Sequence, residues 1–146
     1  MSGFHRSTVL VIEADPALRS VLADILAEEG YAVLQARGGA DGLRIAREQR
    51  PEAILLDLGP APDRGLELLE RLRAGERTRY IPLVGITAGP TEAVAGREPR
   101  PDGVLSKPFD LDALLAHVAR VARPRAALAG ARTSAIAEAS KAGGNP

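Results

Sequence analysis

VLVIEADPALR, residues 9–19, holds the transition on which the fold turns. The run TVLVI at residues 8–12 is continuous and β-branched, the pattern of a strand covered on both faces. Pro16 suits the first turn of a helix, and Leu18, Val21, Leu22, Ile25 and Leu26 then recur along one helical stripe. Gly30 ends that helix as a C-terminal cap residue. Between strand and helix stand Glu13, Ala14 and Asp15, an acid, an alanine and an acid.

The same alternation continues outward. A second short strand is predicted over residues 31–36, a second helix over 40–49, and a third buried strand over 53–58, with Asp57 near its end. Leu66, Leu69 and Leu72 support a third helix. LVGIT at 83–87 and GVLS at 103–106 make two further strands. Asp110 caps a last helix whose apolar stripe is Leu111, Leu114, Leu115 and Val118. Strand and helix alternating through one domain imply an α/β fold, a parallel sheet with right-handed crossovers and helices on both faces. Ligands of such sheets bind beyond the carboxyl ends of the strands. Glu13, Asp15, Asp57, Thr87 and Lys107 all fall there.

Composition narrows the function classes. The 146 residues are 45% hydrophobic but only 3% aromatic, so one core of Leu, Val, Ile and Ala is expected. Nineteen basic and nineteen acidic residues cancel, giving no charge argument for nucleic acid or an anionic membrane. The absence of Cys excludes disulfides, thiolate metal sites and Cys nucleophiles. No stretch approaches the roughly 18 apolar residues of a membrane span, and no signal core opens the chain, so a cytoplasmic setting is expected. The domain is placed at residues 7–123. Residues 124–146, rich in Ala and Gly, read as a flexible tail with a transient helix around 131–139. His5 and His117 sit in no metal-like cluster. GGADG follows the second strand and lacks the spacing of a phosphate loop, and no Ser lies in a nucleophile elbow.

VLVIEADPALR, ILLDL with Gly65 eight positions after its Asp, IPLVGITA, and VLSKPFD together resemble the receiver domain of bacterial two-component response regulators. The resemblance implies a single flavodoxin-like (βα)5 domain with a parallel five-stranded sheet in the order 2-1-3-4-5. It also implies a phosphoacceptor at Asp57, with Thr87 and Lys107 on the phosphoryl oxygens. Mg2+ would be held by Glu13, Asp57 and the Gly59 backbone carbonyl. The chemistry is consistent: a carboxylate attacking a phosphoryl group needs cations and a hydrogen-bond donor to offset repulsion.

Three departures stand out. Ala14 occupies the position of the second of two adjacent acids, usually the direct metal ligand, so Mg2+ binding is expected to be weak; Asp15 is the alternative ligand. After Asp57, GPAPDRG puts Pro62 one position late and Arg64 where an Asp commonly precedes the Gly. Between Thr87 and Lys107 the segment is about two residues short and carries Pro90, Pro99 and Pro101, so the fourth helix must be short or missing. The aromatic ring that reports phosphorylation falls on Val104.

The leading expectation is a stand-alone receiver, not an enzyme, which takes phosphate from a histidine kinase or histidine phosphotransfer protein and signals to an unknown downstream protein. No nucleic-acid or membrane partner is expected, and a homodimer stays open. The rival is a phosphorylation-independent pseudo-receiver acting as a protein–protein interaction module. A flavin protein is disfavoured, because so few aromatics leave little to stack on an isoalloxazine.

Overall fold

The computed structural model describes residues 6–59 and 63–122. In chain order the elements are β1 (Thr8–Ile12), α1 (Pro16–Glu28), β2 (Ala32–Ala36), α2 (Gly39–Gln49) and β3 (Ala53–Gly59). They continue with α3 (Asp63–Ala74), β4 (Leu83–Thr87), α4 (Glu92–Ala95), β5 (Gly103–Ser106) and α5 (Leu111–Val121). The strands form one sheet in the order β2-β1-β3-β4-β5, every pair parallel. This is the flavodoxin-like order that the resemblance implies.

Side chains alternate across the sheet and divide the core in two. Leu10, Ile12, Ile54 and Leu56 pack with Leu43 and Ala46 of α2 and Leu66, Leu69 and Leu72 of α3. Val9, Val11, Leu55, Val84 and Ile86 pack on the opposite face with Leu22 and Leu26 of α1 and Leu114 and Val118 of α5. Helices on both faces explain why the central strands are apolar throughout rather than alternating.

Helix ends follow their local chemistry. Asp15 N-caps α1, its Oδ1 accepting from Ala17 N–H at 3.0 Å, with Pro16 at the first position. Gly30, with φ of +99°, carries the chain out of α1 in the left-handed region. Asp110 caps α5 through Asp112 N–H. Two stripe positions differ from expectation. Val21 is 51% and Leu111 43% exposed, because both helices rest on narrower faces set by Leu22 and Leu26 and by Leu114 and Val118. The fourth helix spans four residues, as the prolines around it require. Residues 60–62 and the expected tail and its helix lie outside the described residues.

At the amino end of β4, Asp102 Oδ2 accepts from Leu83 N–H at 2.8 Å and from Arg73 Nη2 at 2.9 Å. Arg73 also donates to the Ile81 carbonyl at 2.8 Å, so the end of α3 is tied to the two connections that lead into β4 and β5. Asp102→Ala leaves a strand amide without its side-chain acceptor and should lower stability by about 1–2 kcal/mol. Urea unfolding of the two proteins reads this directly, and an unchanged midpoint would refute it.

Candidate functional site

Parallel pairing brings the ends of β1, β3, β4 and β5 to one edge. Ile12 pairs with Leu56, Asp57 with Ile86, and Thr87 with both Gly59 and Ser106, placing Glu13, Asp57, Thr87 and Lys107 at successive strand ends. The β3–β4 register shifts between Asp57 and Gly59. Gly59 has a φ of +69°, a conformation that suits glycine.

Asp57 is the centre of the cluster, its side chain only 7% exposed. Lys107 Nζ donates to Oδ2 at 2.6 Å and Gly59 N–H donates to Oδ1 at 2.7 Å. Burial acts to raise the Asp57 pKa. It is outweighed by the neighbouring Glu13 carboxyl and by the hydrogen bonds from Lys107 and Gly59, and the result lies below the usual carboxylate value. Glu13 behaves oppositely. Burial, reinforced by the facing Asp57 carboxylate, lifts its pKa to about 7, so it holds a proton through the weakly acidic range. Its Oε2 accepts from Asp15 N–H at 2.9 Å, whereas its buried Oε1 makes no hydrogen bond of acceptable geometry. Arg19 fixes the strand end by donating to the Glu13 carbonyl at 2.8 Å.

Thr87 is buried, and its hydroxyl accepts from Gly89 N–H at 3.1 Å. Ser106 Oγ donates to the Gly89 carbonyl at 3.0 Å. The loop after β4 is therefore held at one residue by two hydroxyls. Ser106 was not singled out in the sequence, although its place before Lys107 carried the signal. Ala88 N–H donates to the Gly59 carbonyl at 3.3 Å, and Lys107 N–H to the Thr87 carbonyl at 2.8 Å.

The site residues expected from the sequence thus divide. Asp57 and Lys107 are in direct contact, and Glu13 faces Asp57. Thr87 sits at the same edge with its hydroxyl engaged by the loop. Asp15 is turned into the α1 cap. Among the described residues, no group of three or more His, Cys, Asp or Glu side chains is arranged to hold a metal. Mg2+ commonly uses only one or two carboxylates and retains waters. The unpartnered Glu13 Oε1 beside Asp57 fits that minimal demand, and the Gly59 carbonyl has a second lone pair. Ala14 contributes nothing, so the donor set fits a cation held by few protein oxygens.

A cleft of about 380 Å3 opens over these groups, with Glu13, Ala14, Asp57, Arg37, Gly39 and Arg64 in its walls. Arg37, just after β2, escaped notice in the sequence; its signal was a basic residue at another strand's carboxyl end. Among the described residues no helix is long and apolar enough to cross a membrane.

Comparison with known proteins places this geometry. The family model "Response regulator receiver domain" matches residues 9–119. The chain is 34% identical over 135 residues to the DNA-binding dual master transcriptional regulator RpaA of Synechocystis, covering 91% of this chain and 53% of that protein. It is 36% identical over 118 residues to the transcriptional regulatory protein AfsQ1 of Streptomyces coelicolor, covering 80% and 51%. The chain spans about half the length of these curated relatives. The chemotaxis response regulator CheY4 of Vibrio cholerae superposes with a TM-score of 0.71 at 25% identity, over 80% of this chain and 99% of that one. The receiver domain of a Pseudomonas aeruginosa sensor histidine kinase, with a magnesium ion coordinated in its active-site cleft, superposes with a TM-score of 0.67 at 27% identity, over 80% and 98%. The sheet order, the Asp57–Lys107 pair and the extent of these matches agree, and the chain belongs to the response regulator receiver domain family.

Proposed function

We propose that this receiver accepts a phosphoryl group on Asp57 from a histidine kinase or histidine phosphotransfer protein, in the cytoplasm, and passes the signal to a downstream protein. The observation that carries the reading is the buried Asp57 carboxylate held ionised against Lys107 at 2.6 Å. A carboxylate oxygen attacks phosphorus as the donor's phosphorus–nitrogen bond breaks, its electron pair returning to the imidazole. Lys107 then follows the charge from the carboxylate to a phosphoryl oxygen. Thr87 donates its hydroxyl to another while it can go on accepting from Gly89 N–H, so a phosphoryl group is linked directly to the loop that Ser106 also holds.

A magnesium ion, when bound, would offset repulsion between the carboxylate and the incoming oxygens; Glu13, Asp57 and the Gly59 carbonyl would hold it weakly, with Asp15 joining only by leaving its cap. The role is that of a signal acceptor rather than an enzyme with its own product. Neutral net charge gives the receiver no electrostatic footprint for DNA, so a DNA-directed output is not part of this proposal. A second reading, a phosphorylation-independent interaction module, is favoured by Ala14 and by the half-buried Val104, which packs where a reporting ring is expected.

Incubation with acetyl phosphate and millimolar Mg2+, followed by intact-mass analysis, should show one added phosphoryl group. Asp57→Asn should abolish it. If neither protein acquires the adduct, the second reading replaces the first.

A further inference from the structure

The cleft over Asp57 has an unexpected charge. Ala14 removes one carboxylate from its wall, and Arg37 and Arg64 add two guanidinium groups to it. Lys107 already pairs with Asp57. Asp41, in the first turn of α2, is bound by Arg44 at 2.6 Å, although it also feels the charge of Arg37. Glu67 lies with Arg64 and Arg71 in an adjoining cleft of about 280 Å3. The balance around Asp57 therefore suits an anion better than a second cation.

The backbone agrees. Gly38 and Gly39 line the cleft where the eleven-residue α2 begins, and Gly38 provides no side-chain cap. The amide end of a helix favours negative charge, and small residues allow close approach. On the opposite wall Glu13 is 7% exposed, its Oε2 engaged by Asp15 N–H. Arg37 and Arg64 are both exposed at its rim, free to bring planar, bidentate donors onto oxyanions.

We infer that Arg37 and Arg64 bind the phosphoryl oxygens of the donor over Asp57, taking a charge-neutralising part that receivers otherwise leave to the metal. The inference rests on the reading of Asp57 as phosphoacceptor. With acetyl phosphate the transfer balances without a further reactant: the new bond joins phosphorus to an Asp57 oxygen, and acetate leaves with the electron pair. The adduct should therefore form without divalent metal.

The test uses the full chain in EDTA and has two readouts. Inorganic phosphate, titrated while backbone amide shifts are followed by NMR, should perturb residues 37–39 and 64. The Arg37→Gln/Arg64→Gln protein should bind at least tenfold more weakly, and Arg71→Gln should bind as the parent does. Acetyl phosphate in EDTA should still give the adduct at a rate within about tenfold of that in Mg2+, and the double variant should lose it. An adduct that forms only with Mg2+ overturns the inference and leaves the Asp57 reading intact. Phosphate shifts that persist in the double variant, or fall equally in Arg71→Gln, also overturn it. No adduct in either buffer, with phosphate binding that depends on the two arginines, overturns the Asp57 reading and sustains the anion site.

Discussion

Ala14→Asp should tighten Mg2+ binding by roughly 10- to 100-fold. The added carboxylate enters a cleft wall already formed by Glu13 and Asp57, and one full charge near 4 Å contributes about 1–4 kcal/mol between aqueous and partly screened conditions. The same charge repels its neighbours when no metal is present, so metal-free stability should fall by about 1 kcal/mol, a modest loss because position 14 is exposed. Calorimetric Mg2+ titration of both proteins, paired with urea unfolding in EDTA, separates the two effects. Equal affinities would show that the missing acid is not what limits the metal, and attention would move to the engaged oxygens of Asp57. The variant should also become more dependent on Mg2+ in phosphorylation, because the new carboxylate cancels part of the cleft's positive charge.

The parallel sheet was legible because both faces are covered, whereas its strand order came only from the family resemblance. Continuous runs such as TVLVI and AILLDL have few alternatives once helical stripes separate them. Strand ends then gave the positions of Glu13, Asp57, Thr87 and Lys107 from connectivity alone. The orientation of side chains was less legible. Asp15 reads as a possible substitute ligand from its charge, and its side chain is found capping α1: immediately before Pro16 it meets the free amides of that helix. Val21 and Leu111 were assigned to buried stripes, yet a stripe predicts only a face, and the width of the neighbouring sheet decides which margins stay wet. Arg37 was hidden for a different reason. Its importance depends on three segments converging on one cleft, which no local pattern encodes.

Glu13→Gln should stabilise the protein more at pH 8 than at pH 5, by about 2 kcal/mol. That is somewhat less than the full shift at roughly 1.4 kcal/mol per unit, because the ordinary group is already partly ionised at pH 5 and water at the cleft screens the rest. Glu13 has a pKa of about 7 in the folded chain against 4.5 for the ordinary group, so the native state binds its proton more tightly than the unfolded state does. Stability must then decline as pH rises from about 4.5 through 7, the reverse of an ordinary paired carboxylate. Asp57 adds nothing to that window, because its pKa is displaced downward and its contribution is lost only in more strongly acidic solution. The amide substitution fits the geometry. Its carbonyl oxygen can keep the bond from Asp15 N–H, made at 2.9 Å by Glu13 Oε2, and its NH2 replaces the unpartnered Oε1 facing Asp57. His117 titrates below its usual value because of burial and the charge of Arg120, and this acts equally on both proteins, so the difference between them isolates Glu13. Urea midpoints in EDTA at pH 5, 6, 7 and 8 provide the measurement. A parent protein whose stability stays level from pH 5 to 8, or a variant weaker than the parent at pH 8, would show that Glu13 titrates in the fold near its ordinary value and that burial at this strand end is less severe than its surroundings imply.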